Sequence, residues 1–189
     1  MKMLFIILTV MQSFLASLEQ NTLVSDFTLS ITESQSTSAP VQPMTYTGSI
    51  AMRGKQFSLS MFAMEAAYDG YTLYIYSEDV DELTLSVPSE EELMLTNPFF
   101  YAQALLPICQ YEEKNIGDKV QITLTPRDRS AGILKFVLRV IAATKLPVAV
   151  EIYEENGKMT ALRMSNAKYV EQVPPFVLEK EGAFVNDLR

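Results

Sequence analysis

Histidine and tryptophan are absent from this 189-residue sequence, and Cys109 is its single cysteine. Without histidine, Ser-His-Asp and Cys-His nucleophilic sites and His-ligated zinc centres are excluded. One cysteine rules out an internal disulfide and any thiolate cluster. The seven glycines are dispersed at turns, so no phosphate-cradling loop is present and no cofactor is expected. Positive charge is also short: 15 basic against 23 acidic side chains give a net charge of -8. Such a surface does not neutralise phosphates, which argues against nucleic-acid binding. What is abundant is apolar: 48% of residues are hydrophobic, with ten Met, ten Phe and nine Tyr, enough to fill one core. The composition leaves a binding or structural protein, or an enzyme working through carboxylates.

The first stretch raises a targeting question. Lys2 precedes an apolar run from Leu4 to about Ala16, and the first acid is Glu19. This is the layout of a signal peptide ending near Ser17, and the run is shorter than the roughly 20 residues of a bilayer span. An uncleaved anchor or a buried N-terminal helix fits the same residues. The expected organisation is a leader over 1-17 and a single domain over 18-189, exported and free of the membrane.

Beyond residue 22 apolar residues recur with period two, the pattern of half-buried strands. Phe27, Leu29 and Ile31 begin it; residues 33-43 read as a polar, Pro-bearing loop. Tyr46 to Met52, Phe57 to Met61, Met64 to Tyr68, Tyr71 to Tyr76 and Leu83 to Val87 continue, with Asp69-Gly70 as a hairpin signal. Strands resume at Val120 to Leu124, Ile133 to Ile141, Val148 to Ile152 and Met159 to Tyr169, and a last run spans Phe176 to Leu178. Between the two series, Ser89 to Glu92 forms a capping box, and Asn97-Pro98 starts a second helix that is apolar round most of its circumference until Pro107. About ten or eleven strands without βαβ alternation predict a mainly β fold: an antiparallel, strongly curved, incomplete barrel with short helices on its concave side. Those helices either plug the core or form a lid over an apolar cavity.

Carboxylates are the one abundant catalytic type. Glu78, Asp79, Asp81 and Glu82 crowd a turn, where exposed acids serve solubility, while Glu90, Glu91 and Glu92 suit a helix N-terminus. Pro126 to Arg129 alternates charge and reads as a turn, not a calcium loop. Cys109 lies in an apolar stretch and reads as a small buried hydrophobe. Met52, Met61, Met64, Met94 and Met164 fall in strands or the lid-like helix, as gap fillers or as an adaptable surface for acyl chains. No enzyme activity is expected.

The order of several short motifs resembles the outer-membrane lipoprotein carrier family of LolA type. They are Asp26-Phe27-Thr28, Gly48-Ser-Ile-Ala-Met, Phe57-Ser-Leu, Tyr68-Asp-Gly-Tyr-Thr-Leu-Tyr-Ile-Tyr, Glu82-Leu-Thr-Leu-Ser, Asn97-Pro98, and Phe176-Val-Leu through Val185-Asn-Asp-Leu-Arg. The resemblance covers residues 24 to 189. It implies an unclosed barrel with a helical lid that holds the acyl chains of lipoproteins across the periplasm towards the outer membrane. The implied partners are acylated lipoproteins, an inner-membrane release complex and an outer-membrane acceptor, with the carrier itself monomeric. The alternative is a sensor that binds a lipoprotein or another amphiphile without transport. Expected cavity residues are Ile50, Met52, Phe57, Leu59, Met61, Leu73, Ile75 and Leu85, with Leu93, Met94, Phe99, Phe100 and Leu105 in the lid. Two departures stand out: Ser58 occupies the position where the family commonly has a lid-locking Arg, and a leader ending at Ser17 leaves little room for the family's N-terminal helix.

Overall fold

Strands dominate because alternating side chains satisfy a pleated surface with one face buried. The computed structural model describes residues 9–33, 42–128 and 132–189. The first eight residues of the expected leader, most of the polar loop and Arg129 lie outside the described residues. The chain runs α1 (Val10–Gln20), β1 (Thr22–Glu33), β2 (Met44–Arg53), β3 (Gln56–Met61), β4 (Met64–Tyr68), β5 (Leu73–Ser77) and β6 (Glu82–Ser86). Two helices follow, α2 (Glu90–Thr96) and α3 (Pro98–Leu105). The second series is β7 (Cys109–Ile116), β8 (Lys119–Pro126), β9 (Ile133–Ile141), β10 (Pro147–Glu154), β11 (Lys158–Val170) and β12 (Phe184–Asp187).

All twelve strands join one sheet in the order β12-β6-β5-β4-β3-β2-β1-β11-β10-β9-β8-β7. It is two antiparallel meanders spliced where β1 pairs with β11, with β12 added parallel to β6. The sheet curves but does not close, so β12 and β7 are its edges, and α2 and α3 connect the two halves. The expected incomplete barrel is the observed architecture.

Two strand expectations need correction. Cys109–Ile116 is a strand that the sequence pattern did not announce, because its run of Glu112, Glu113, Lys114 and Asn115 has no apolar alternation. Charges of this kind protect an edge strand from pairing with another chain. Phe176 to Leu178, in contrast, joins no strand ladder among the described residues. Pro174 and Pro175 just before it lack amide donors, and the closing strand begins at Phe184 instead.

Gly48 in β2 is fixed by a close approach. It faces Phe27 across the β1–β2 ladder, and a Cβ there would lie 2.2 Å from the Ser60 carbonyl oxygen and 2.6 Å from the Phe27 ring. The aromatic ring thus covers the bare backbone of its neighbour.

Candidate functional site: the covered concave face

Directly paired residues share a face of the sheet, so the register sorts every side chain. Across β2 to β5, Ile50, Leu59, Ala66 and Ile75 form one row, and Met52, Phe57, Tyr68 and Leu73 form the next. A third row is Gly48, Met61 and Met64. The surface continues through Leu23, Phe27 and Leu29 of β1 to Leu162 and Met164 of β11. From there it passes to Val150 and Ile152, Phe136 and Leu138, then Ile122 and Leu124. Apart from Gly48 and Met64, these residues belong to one hydrophobic cluster, or pack against it, together with residues of the helices.

Seven of the eight strand residues expected from sequence therefore share this concave face. Leu85 does not. It pairs with Tyr74, one position out of phase with Ile75 and Thr84, and so lies on the convex face with Leu83. Leu83 and Leu85 are buried outside the concave cluster, and so is Phe176 of the irregular C-terminal segment. That segment crosses the convex side, where Lys180 bonds Glu65 of β4 and sits 4.6 Å from the Tyr76 ring centroid.

Of the expected lid residues, Leu93, Phe99 and Leu105 are in the concave cluster and Phe100 packs against it; Met94 is half-buried outside it. The Ser89–Glu92 capping box is formed in both directions, and hydrogen bonds from Ser89 hold the Glu92 carboxyl below its ordinary pKa. Asn97 Oδ1 accepts from the Phe99 amide at 3.0 Å and so begins α3. The Phe100 ring meets Phe57 and Tyr68 edge-on, at 6.1 and 6.3 Å between centroids. Ser58 pairs with Ala51 and Ala67 on the convex face, so nothing at this position ties the helices down.

The residues that the sequence pattern did not assign to the site are in α1. Met11, Phe14 and Leu18 recur at helical spacing on one stripe and are completely or almost completely buried. Phe14 packs on Phe99 of α3 at 5.6 Å between ring centroids. Thr9 and Gln12 cap the helix; the Val10 amide donates to Glu113 of β7 at 2.6 Å, where a carboxylate also suits the helix dipole. At the other end the Gly54 amide in the β2–β3 turn donates to the Leu18 carbonyl at 2.8 Å. The helix thus bridges the two halves of the open sheet.

Few groups on this face can ionise. Burial pushes the Cys109 thiol and the Tyr68, Tyr101 and Tyr169 phenols above their ordinary pKa values, which keeps them neutral. Among the described residues, two buried side-chain polar atoms have no hydrogen-bond partner, Thr22 Oγ1 and Asn97 Nδ2. Glu78, Asp79 and Asp81 are exposed in the β5–β6 turn, away from the apolar rows. Among the described residues no group of three or more Cys, Asp or Glu side chains is arranged to hold a metal ion. No helix among them is long and apolar enough to cross a membrane.

No known family profile matches the chain, and neither does any curated protein sequence. Solved structures do. An uncharacterized conserved protein from Thermus thermophilus superposes with a TM-score of 0.61 at 10% identity, over 94% of this chain and 96% of that one. A LolA superfamily protein from Nitrosomonas europaea gives 0.42 at 13% identity, over 90% and 98% of the two chains. A putative outer membrane lipoprotein-sorting protein domain from Vibrio parahaemolyticus gives 0.42 at 10% identity, over 87% and 92%. The likeness to the Thermus protein is one of fold.

Proposed function

We propose that the concave face binds the acyl chains of lipoproteins and that the chain is a periplasmic carrier, with α1, α2 and α3 as a cover that shifts to admit them. The observation that carries this reading is the predominantly apolar surface of the concave face, interrupted in β1 by the buried Ser25 opposite Ile50 and shielded on its open side by short helices. Each acyl methylene buried there gains about 0.8 kcal/mol. Displacing the buried side chains of the cover offsets part of that gain, which is what release requires. The unpaired Asn97 Nδ2, at the junction of α2 and α3, supports a cover that moves: an orphaned buried donor costs about 1–3 kcal/mol. The motif order shared with LolA-type carriers points to the same ligand.

In this arrangement α1 occupies the space that a ligand needs. A leader ending at Ser17 would remove Met11 and Phe14 and open the floor, whereas a chain that keeps Val10–Gln20 is closed until ligand displaces the helix. N-terminal sequencing of the protein from its native host decides between these two forms. Mass spectrometry of the same material is expected to find acylated peptides. A transfer assay from inner-membrane vesicles then separates delivery from binding alone. The tightly packed cover favours binding alone as the second reading, because its displacement is itself a signal. Absence of acylated species, together with no protection of lipoproteins from aggregation, overturns both.

A further inference from the structure

One end of the sheet carries large apolar side chains in water. Phe62, in the two-residue β3–β4 turn, is 85% exposed; Val80, in the β5–β6 turn, is 66% exposed; Phe184, at the start of β12, is 68% exposed. Their backbones are linked in series: the Glu78 amide donates to the Ala63 carbonyl at 2.9 Å, and the Phe184 amide to the Asp81 carbonyl at 2.9 Å. The three therefore stand on adjoining strand ends.

Phe62 is the informative one. Its φ of 53° is left-handed, a conformation that suits Gly or Asn in a tight hairpin and is an outlier for a bulky residue. The ring gains no burial in return, so Phe at this position costs the fold twice. Around it the exposed Glu78, Asp79 and Asp81 engage in no ion pair among the described residues. The Asp81 side chain accepts a hydrogen bond from the Tyr76 hydroxyl at 3.0 Å.

We propose that this hairpin end is a docking surface for a protein partner that presents an apolar pocket rimmed by Lys and Arg, with Phe62 as the anchor. The charge of the surface selects the class of partner. Uncompensated carboxylates beside an exposed aromatic repel anionic lipid headgroups and attract a basic rim, and aromatic anchors seated in pockets dominate protein interfaces. The surface lies on turns, apart from the concave face, so the inference stands whether or not acyl chains bind there.

The test places a photo-crosslinking amino acid at position 62 in the full chain in its native host, with position 134, exposed on β9, as control. One protein is expected to crosslink from 62 and not from 134. That protein, purified, should bind the wild-type chain at least tenfold more tightly than Phe62→Ser, and several-fold more tightly than Asp79→Lys, the latter difference shrinking as salt rises. Phe62→Gly should fold with unchanged or higher thermal stability. Crosslinking to lipid alone, or binding of phosphatidylglycerol vesicles that Phe62→Ser abolishes, makes this a membrane contact and overturns the proposal. Equal affinity of all variants, or marked destabilisation by Phe62→Gly, overturns it as well.

Discussion

The two faces of the sheet are buried by different means. The concave face is closed by three capped helices whose aromatic side chains interlock with the strands, so that Phe14, Phe57 and Phe99 are completely buried. The convex face is closed over β3–β6 by a C-terminal segment without regular structure, and over β8–β10 by a polar ladder in which Arg139, Gln121, Glu151 and Tyr153 bond one another. Capped helices shift as whole pieces, while a strap of irregular chain and a polar ladder adjust locally. The difference divides the molecule into a face suited to opening and a face suited to holding shape.

The largest effect is expected where the comparison is sharpest. Phe14→Ala removes the ring that joins α1 to Phe99 and leaves a void between two helices and a sheet that cannot all collapse on it. Destabilisation of about 3–5 kcal/mol is expected, measured by urea unfolding of the chain that retains Val10–Gln20. A loss below about 1 kcal/mol would show that the concave face closes without α1, and the contrast between the faces would fail.

How much of this was legible in sequence depends on the reach of local pattern. The concave rows of β2–β5 were readable because period two separates the faces without any tertiary knowledge. β6 was not, since its leucines lie on the convex side, which a segment far along the chain crosses, and periodicity says which residues share a face but not which side that face is on. The stripe of Met11, Phe14 and Leu18 was present but lay inside a longer apolar run, where the leader pattern and the helix pattern use the same residues. β7 carries the charges of a guarded edge and hides its strand nature. Conversely, the caps at Ser89 and Asn97 were readable to the residue, because capping is chemistry among immediate neighbours.

The convex cover supplies the intermediate case. Phe176 is only 5% exposed, nearly as deeply buried as Phe14, yet its neighbours along the chain are irregular and can settle into the space. Phe176→Ala should therefore cost little beyond transfer of the ring, about 1.5–3 kcal/mol. It should also loosen the C-terminal segment, seen as faster amide exchange at Phe184–Asp187 while α1 remains protected. Equal slowing or quickening in both places would mean that the two covers unfold together.

The smallest effect tests the polar ladder. Arg139 grips Glu151 with both terminal nitrogens, at 2.6 and 3.2 Å, and Tyr153 donates to the same carboxylate at 3.0 Å. The bonds from Arg139 hold the Glu151 carboxyl below its ordinary pKa against the opposing effect of partial burial. A carboxyl with a lowered folded-state pKa stabilises the fold above its unfolded value, about 4.3 for Glu, and that contribution fades as pH falls through the folded value. Glu151→Gln should thus cost about 1 kcal/mol near neutrality and progressively less in acid, so that mutant and wild-type stability curves converge below the carboxylate range. The pair is partly open to solvent, and salt should narrow the gap at neutral pH. Should the gap persist unchanged in acid, the ladder acts through packing of the side chains and not through charge, and the convex face would resemble the concave one more closely than its composition suggests.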